Sequence, residues 1–159
     1  MAIDGTWTVP AAAVTVSAVS VTPSAGSGAQ QTFALQYYDS LGATDLTTVW
    51  VSFTSNFNTV SAANSCEVYY ARATNQLFLL NDAGTFWAPL TPGAAVALGN
   101  SQCSINAASA NVTSSGTNLT LNLPVTFTPA YTGAKNTYMY ASGSSASSGW
   151  QAMGSWTVP

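Results

Sequence analysis

Apolar and polar residues alternate in short runs along this chain, and clusters of Gly, Pro, Ser and Asn separate the runs. Period-two alternation over four to ten residues predicts strands with one buried face. The clearest case is residues 119–127, where Leu119, Leu121, Leu123, Val125 and Phe127 alternate with Thr120, Asn122, Pro124 and Thr126. Pro124 lacks a backbone N–H, so this segment is expected to be an edge strand or to turn that side outward. Over residues 32–38, Phe33, Leu35 and Tyr37 take the inward phase, and Gln36 and Tyr38 the outward one. Residues 47–54 place Val49, Val51 and Phe53 on one face, with Trp50 and Ser52 on the other.

Two runs break the simple pattern. Val14 and Val16 share a phase that Val19 and Val21 then reverse, which predicts a bulge or a crossing between sheets near Ala18. Leu77-Phe78-Leu79-Leu80 does not alternate and suggests burial on both faces. Residues 67–71 and 76–80 form a hairpin across Arg72-Ala73-Thr74-Asn75, and Asp39-Ser40-Leu41-Gly42 and Asn81-Asp82-Ala83-Gly84 are turns. No stretch carries helical periodicity. The expected class is all-β, an antiparallel β-sandwich of about nine strands.

A six-residue stretch occurs twice. Gly5-Thr6-Trp7-Thr8-Val9-Pro10 returns as Gly154-Ser155-Trp156-Thr157-Val158-Pro159, with Ser for Thr as the one change. The copies are a domain's length apart, the spacing of a tandem array of whole domains. Residues 1–10 then read as the closing strand of a preceding repeat or as a tail, and residues 11–159 as one complete repeat. Pro23 after the first strand, the Asp/Gly turn after the second and the Gly-Ser-Trp-Thr-Val closing strand resemble bacterial immunoglobulin-like domains. That resemblance implies a module of large secreted or cell-surface proteins, with neighbouring repeats, or self-association through the end strands, as its partners. The chain is longer than the compact module and lacks the usual Cys pair on the second and penultimate strands.

Charge is scarce, with two basic and five acidic side chains and no histidine. Two cations give no footprint for nucleic acid or an anionic membrane surface, and no apolar run is long enough for a membrane helix. Cys66 and Cys103 are expected to form one disulfide, which implies an oxidising, extracellular setting; two buried free thiols are the alternative.

Catalytic constellations are thin. Without histidine, Ser-His-Asp and Cys-His chemistry are excluded. Asp39, Asp45, Glu67 and Asp82 sit beside turns or strand ends, where they brace backbone. No enzyme activity and no cofactor are expected. Asp39 and Asp45 share one loop and form a weak calcium candidate. Lys135 raises the alternative of an isopeptide bond to an asparagine promoted by Glu67. Asn111-Val112-Thr113 and Asn118-Leu119-Thr120 are formal glycosylation sequons. Tyr38, Trp50, Tyr69, Trp87 and Trp150 fall on or near outward phases and are candidates for stacking on a sugar; the same residue types also fill sandwich cores. The expectation is a non-catalytic extracellular spacer or adhesive repeat, with a carbohydrate-binding module as the alternative.

Overall fold

In the computed structural model, which describes residues 13–159, the chain is all-β and folds into two antiparallel sheets packed face to face. The expected closing strand at residues 5–10 lies outside the described residues. The strands are β1 (Val16–Thr22), β2 (Gln30–Asp39), β3 (Leu46–Thr54), β4 (Cys66–Ala71), β5 (Gln76–Leu80) and β6 (Trp87–Leu90). They continue with β7 (Ala97–Gly99), β8 (Cys103–Asn106), β9 (Asn111–Ser115), β10 (Asn118–Phe127), β11 (Gly133–Gly143) and β12 (Gln151–Val158). The first sheet runs β1-β2-β10-β8-β7, with β9 also paired to β10; the second runs β12-β11-β3-β4-β5-β6. The count exceeds the expected nine partly because β7 and β9 are short segments with little apolar alternation.

The period-two phases hold across the core. Phe33, Leu35 and Tyr37 from β2 and Leu119, Leu121, Leu123, Val125 and Phe127 from β10 are buried. They face Val49, Val51 and Phe53 of β3, Met139 of β11 and Trp156 of β12. Phe33 is the hub, with ring centroids 4.7 Å from Phe53, 5.2 Å from Trp156 and 6.4 Å from Phe127. The closing strand belongs to its own sandwich: β12 pairs with β11, and the Trp156 indole N–H donates to the Gly28 carbonyl at 2.9 Å.

The phase switch in β1 is a bulge between Ala18 and Ser20. The chain then leaves the first sheet at Pro23, and residues 24–28 run parallel to β12, with Ser155 and Thr157 donating to Ser24 and Gly26. Gly26 is required there, because a Cβ would lie 2.7 Å from the Trp156 ring. One strap thus ties both sheets together at their shared edge.

Pro124 corrects an expectation, since β10 is an interior strand. Phe127 donates its N–H to Ala29 on the β2 side, so by alternation the Pro124 nitrogen faces away from β2. On that side β9 pairing stops at Asn122 and β8 pairing starts at Val125. Proline fills the one place where no ladder donor is needed. The run Leu77–Leu80 carries burial on both faces: Leu77 and Leu79 enter the core, while on the alternate phase Phe78 is half-buried and Leu80 buried.

Candidate aromatic face and its buried carboxyl

The outer face of the second sheet carries a row of aromatic side chains set by strand register. Tyr140 of β11 pairs with Trp50 of β3, Trp50 with Tyr69 of β4, and Tyr69 with Phe78 of β5. Continuing the β11–β12 register places Trp150 beside Tyr140, where the rings lie 5.5 Å apart. Trp50 stacks on Tyr69 at 4.3 Å, and Tyr69 on Phe78 at 4.7 Å. Direct cross-strand neighbours are close enough for such contacts to add to sheet stability.

Trp87 comes from β6, three strands from β3, yet its ring is 5.5 Å from Trp50 and 4.9 Å from Tyr69, nearly perpendicular to both. Its indole therefore reaches back across the sheet. At the other end Phe57, from the loop after β3, stacks on Tyr138 at 4.4 Å and contacts Trp150 at 5.1 Å. Eight rings thus form one half-buried cluster spanning the sheet. Rings of the central column spend their faces on each other and turn edges outward.

Of the five candidate sugar-stacking residues, Trp50, Tyr69, Trp87 and Trp150 are brought together here. Tyr38 is not. It lies on β2 of the opposite sheet, paired with Ser17 and Asn118. The sequence places all five on or near outward phases, but the sheet to which each belongs is a matter of topology. Phe57, Phe78, Tyr138 and Tyr140 are not among the sequence candidates. Alternation along β11 was the available signal for Tyr138 and Tyr140, whereas Phe78 sits in a non-alternating run and Phe57 in a loop, where no periodicity marks it.

Beside the row, Glu67 of β4 is opposite Ser52 of β3, and both are buried beneath the loop that Phe57 anchors. They border a polar cavity of about 20 Å³, room for one water molecule. Burial pushes the Glu67 carboxyl up to about 7, with the Ser52 hydroxyl acting in the opposite direction.

Cys66 and Cys103 are disulfide-bonded, joining β4 of the second sheet to β8 of the first. Asp39 and Asp45 converge on Gly143, where an added Cβ would lie 2.5 Å from Asp39 Oδ2 and 3.0 Å from Asp45 Oδ2. Asp39 Oδ1 accepts from the Leu41 N–H at 2.8 Å, and Asp45 accepts from the Ser144 hydroxyl at 2.6 Å. Asp39 Oδ2 is buried without a partner. Desolvation, with Asp45 alongside, raises the Asp39 carboxyl above its usual range, while the Ser144 hydroxyl leads in holding Asp45 below it. This is a turn brace containing a carboxyl pair. Among the described residues no group of three or more His, Cys, Asp or Glu side chains is arranged to hold a metal.

Lys135 and Glu67 do not meet. Lys135 takes the inward phase of β11, its ammonium donating to the Thr132 carbonyl and lying 4.0 Å from the Tyr131 ring centre. Glu67 takes the outward phase of β4. No helix is long and apolar enough to cross a membrane among the described residues. Comparison with protein-family models, with curated proteins and with solved structures finds no match.

Proposed function

We propose that this chain is a non-catalytic, immunoglobulin-like structural and adhesive unit that works outside the cell, and that the aromatic face is where it adheres. The strand order supports the immunoglobulin-like reading. In the variable type, strands A, B, E and D form one sheet, and C″, C′, C, F and G the other. β1-β2-β10-β8 and β5-β4-β3-β11-β12 follow those orders. The disulfide departs from that pattern by joining the C′ and D positions in place of B and F. It also supports an oxidising setting.

The observation that carries the adhesive reading is the aromatic cluster itself. The outer face of an antiparallel sheet that meets only water is normally polar, and a contiguous apolar patch marks an interaction surface. Neighbouring copies of the same chain are the first partner proposed. Sedimentation velocity at rising concentration tests this, with Trp87→Ser and Trp150→Ser each expected to lower self-association. A second arm deletes residues 1–10, which repeat the closing strand. Loss of association there and not in the tryptophan variants would assign the contact to end strands. Wild-type protein that stays monomeric throughout would overturn the self-adhesive reading.

Carbohydrate binding is the second reading, favoured by the gathering of Trp50, Tyr69, Trp87 and Trp150 on one face. Trp87 and Trp150 both meet Trp50 edge-on at the sides of the central column and are the rings to test. A glycan array should show binding that Trp87→Ala and Trp150→Ala abolish and that Tyr38→Ala, on the opposite sheet, leaves intact. An array with no binder above background would remove this reading.

A further inference from the structure

A second site lies where the two sheets part, away from the aromatic face. An open groove of about 420 Å³ runs between the β4–β5 turn and β9, lined by Tyr70, Arg72, Asn75, Asn111, Val112 and Ser114, with no carboxylate among its lining residues. Of the chain's two basic side chains, Lys135 is buried, and Arg72 is the exposed one.

Hydrogen bonding orients the polar groups of this groove. Arg72 Nε donates to the Leu46 carbonyl at 3.0 Å, which fixes the arm and leaves the two terminal nitrogens of the fork as donors. The Tyr70 hydroxyl donates to Asn75 Oδ1 at 2.7 Å, so the acceptor of that amide is engaged and its NH₂ remains. Across the groove, Asn111 is the register partner of Asn122, whose Nδ2 donates to Asn111 Oδ1 at 2.8 Å on the outer face of the first sheet, so the Val112 side of β9 is the one turned to the groove. The Asn75 NH₂ group and the Arg72 guanidinium therefore border one groove as donors.

We propose that this groove binds the carboxylate of an acidic sugar, with Arg72 as the anchoring residue. A guanidinium fork matches a carboxylate in two parallel, charge-assisted hydrogen bonds. The Thr44 and Ser114 hydroxyls on the rim suit ring hydroxyls, and Val112 offers an apolar patch for the C–H face of a pyranose. A few placed polar groups around an apolar patch are the usual make-up of a small-ligand site. The site is separate from the aromatic face and does not depend on either reading of it.

The test is an amide NMR titration of the whole chain with sodium galacturonate, in parallel with galactose and with sodium acetate. Galacturonate should move the Gly93, Asn111 and Ser114 amides with a saturable, millimolar midpoint. Galactose and acetate should bind at least tenfold more weakly. Arg72→Gln should weaken galacturonate at least tenfold. Ser114→Trp, on the exposed edge strand, should block the groove while leaving Arg72 in place; unchanged melting curves confirm that both variants fold. The proposal is overturned if the groove amides do not respond, if Arg72→Gln binds as wild type, or if acetate matches galacturonate. Shifts confined to amides of the aromatic face would overturn it equally.

Discussion

Trp50 and Tyr69 are register partners on adjacent strands, and their rings stack at 4.3 Å with 26° between planes on the outside of the sandwich. The same backbone position of Trp50 also serves the core, because its carbonyl accepts from the buried Tyr37 hydroxyl at 2.9 Å. The stack is thus fixed from beneath by the opposite sheet and from the sides by Tyr140 and Trp87. The second sheet has packing on both faces, so its outer rings contribute to stability.

Replacing Trp50 should therefore destabilise although it is half-buried. Trp50→Ala removes the centre of the column and is expected to cost about 2 kcal/mol, below the value for a fully buried tryptophan. Differential scanning calorimetry should show the melting temperature falling by about 6 °C. A change within 1 °C would mean that the outer rings pack no better than isolated surface residues.

Glu67 predicts a pH dependence. Its folded value near 7 lies above the ordinary 4.5, so the folded state binds the proton more tightly than the unfolded chain. The resulting stability is fully present below about pH 4.5 and is lost as pH rises through 7. The linked free energy is about 3 kcal/mol. Denaturant unfolding at pH 5 and pH 8 should show wild type weaker at pH 8. Glu67→Gln, which stays neutral, should lose most of that difference.

Asp39 acts in the same direction, again through desolvation by burial, with Asp45 adding to it. Its folded value is raised, so ionisation opposes folding once pH passes that value, and the stability it gives is complete only below about pH 3.8. Asp39→Asn replaces the unpartnered Oδ2 by a donor that can reach Asp45. We expect higher melting temperature than wild type at pH 7 and no gain at pH 3. A lower melting temperature at pH 7 would show that the pair needs its charge.

The disulfide closes a span of 37 residues, and chain entropy gives about 4 kcal/mol for a loop of that length. The double variant Cys66→Ala, Cys103→Ala should lower stability by that order in denaturant titration at pH 7. Wild type under strong reductant should approach the same value. Equal midpoints with and without the bond would show that residual structure already constrains the unfolded chain.

The turn brace predicts indifference to calcium. Melting curves with calcium and with chelator should superimpose, because Asp45 is already satisfied by Ser144. A concentration-dependent rise would follow binding linkage and make the Asp39–Asp45 pair a metal site.

Strand class, inward phase and the major turns were all legible in the sequence, because alternation with period two is a local property of the chain. Phe33, Leu35 and Tyr37 were assigned inward on that basis, and Tyr38 and Trp50 outward, as found. The bulge near Ala18 also left a local mark, since a phase switch is visible without knowing the partner strand. What alternation cannot carry is pairing. Pro124 looked like an edge residue because its missing donor is local information, whereas the gap it faces is created by two other strands. For the same reason Tyr38 and Trp50 shared a sequence phase and ended on opposite sheets. The aromatic row needed five strands to meet in one register, and the groove at Arg72 needed β9 to cross near the β4–β5 turn. Those relations join residues far apart in the chain, and only the closing of the two sheets on one core brings them within contact distance.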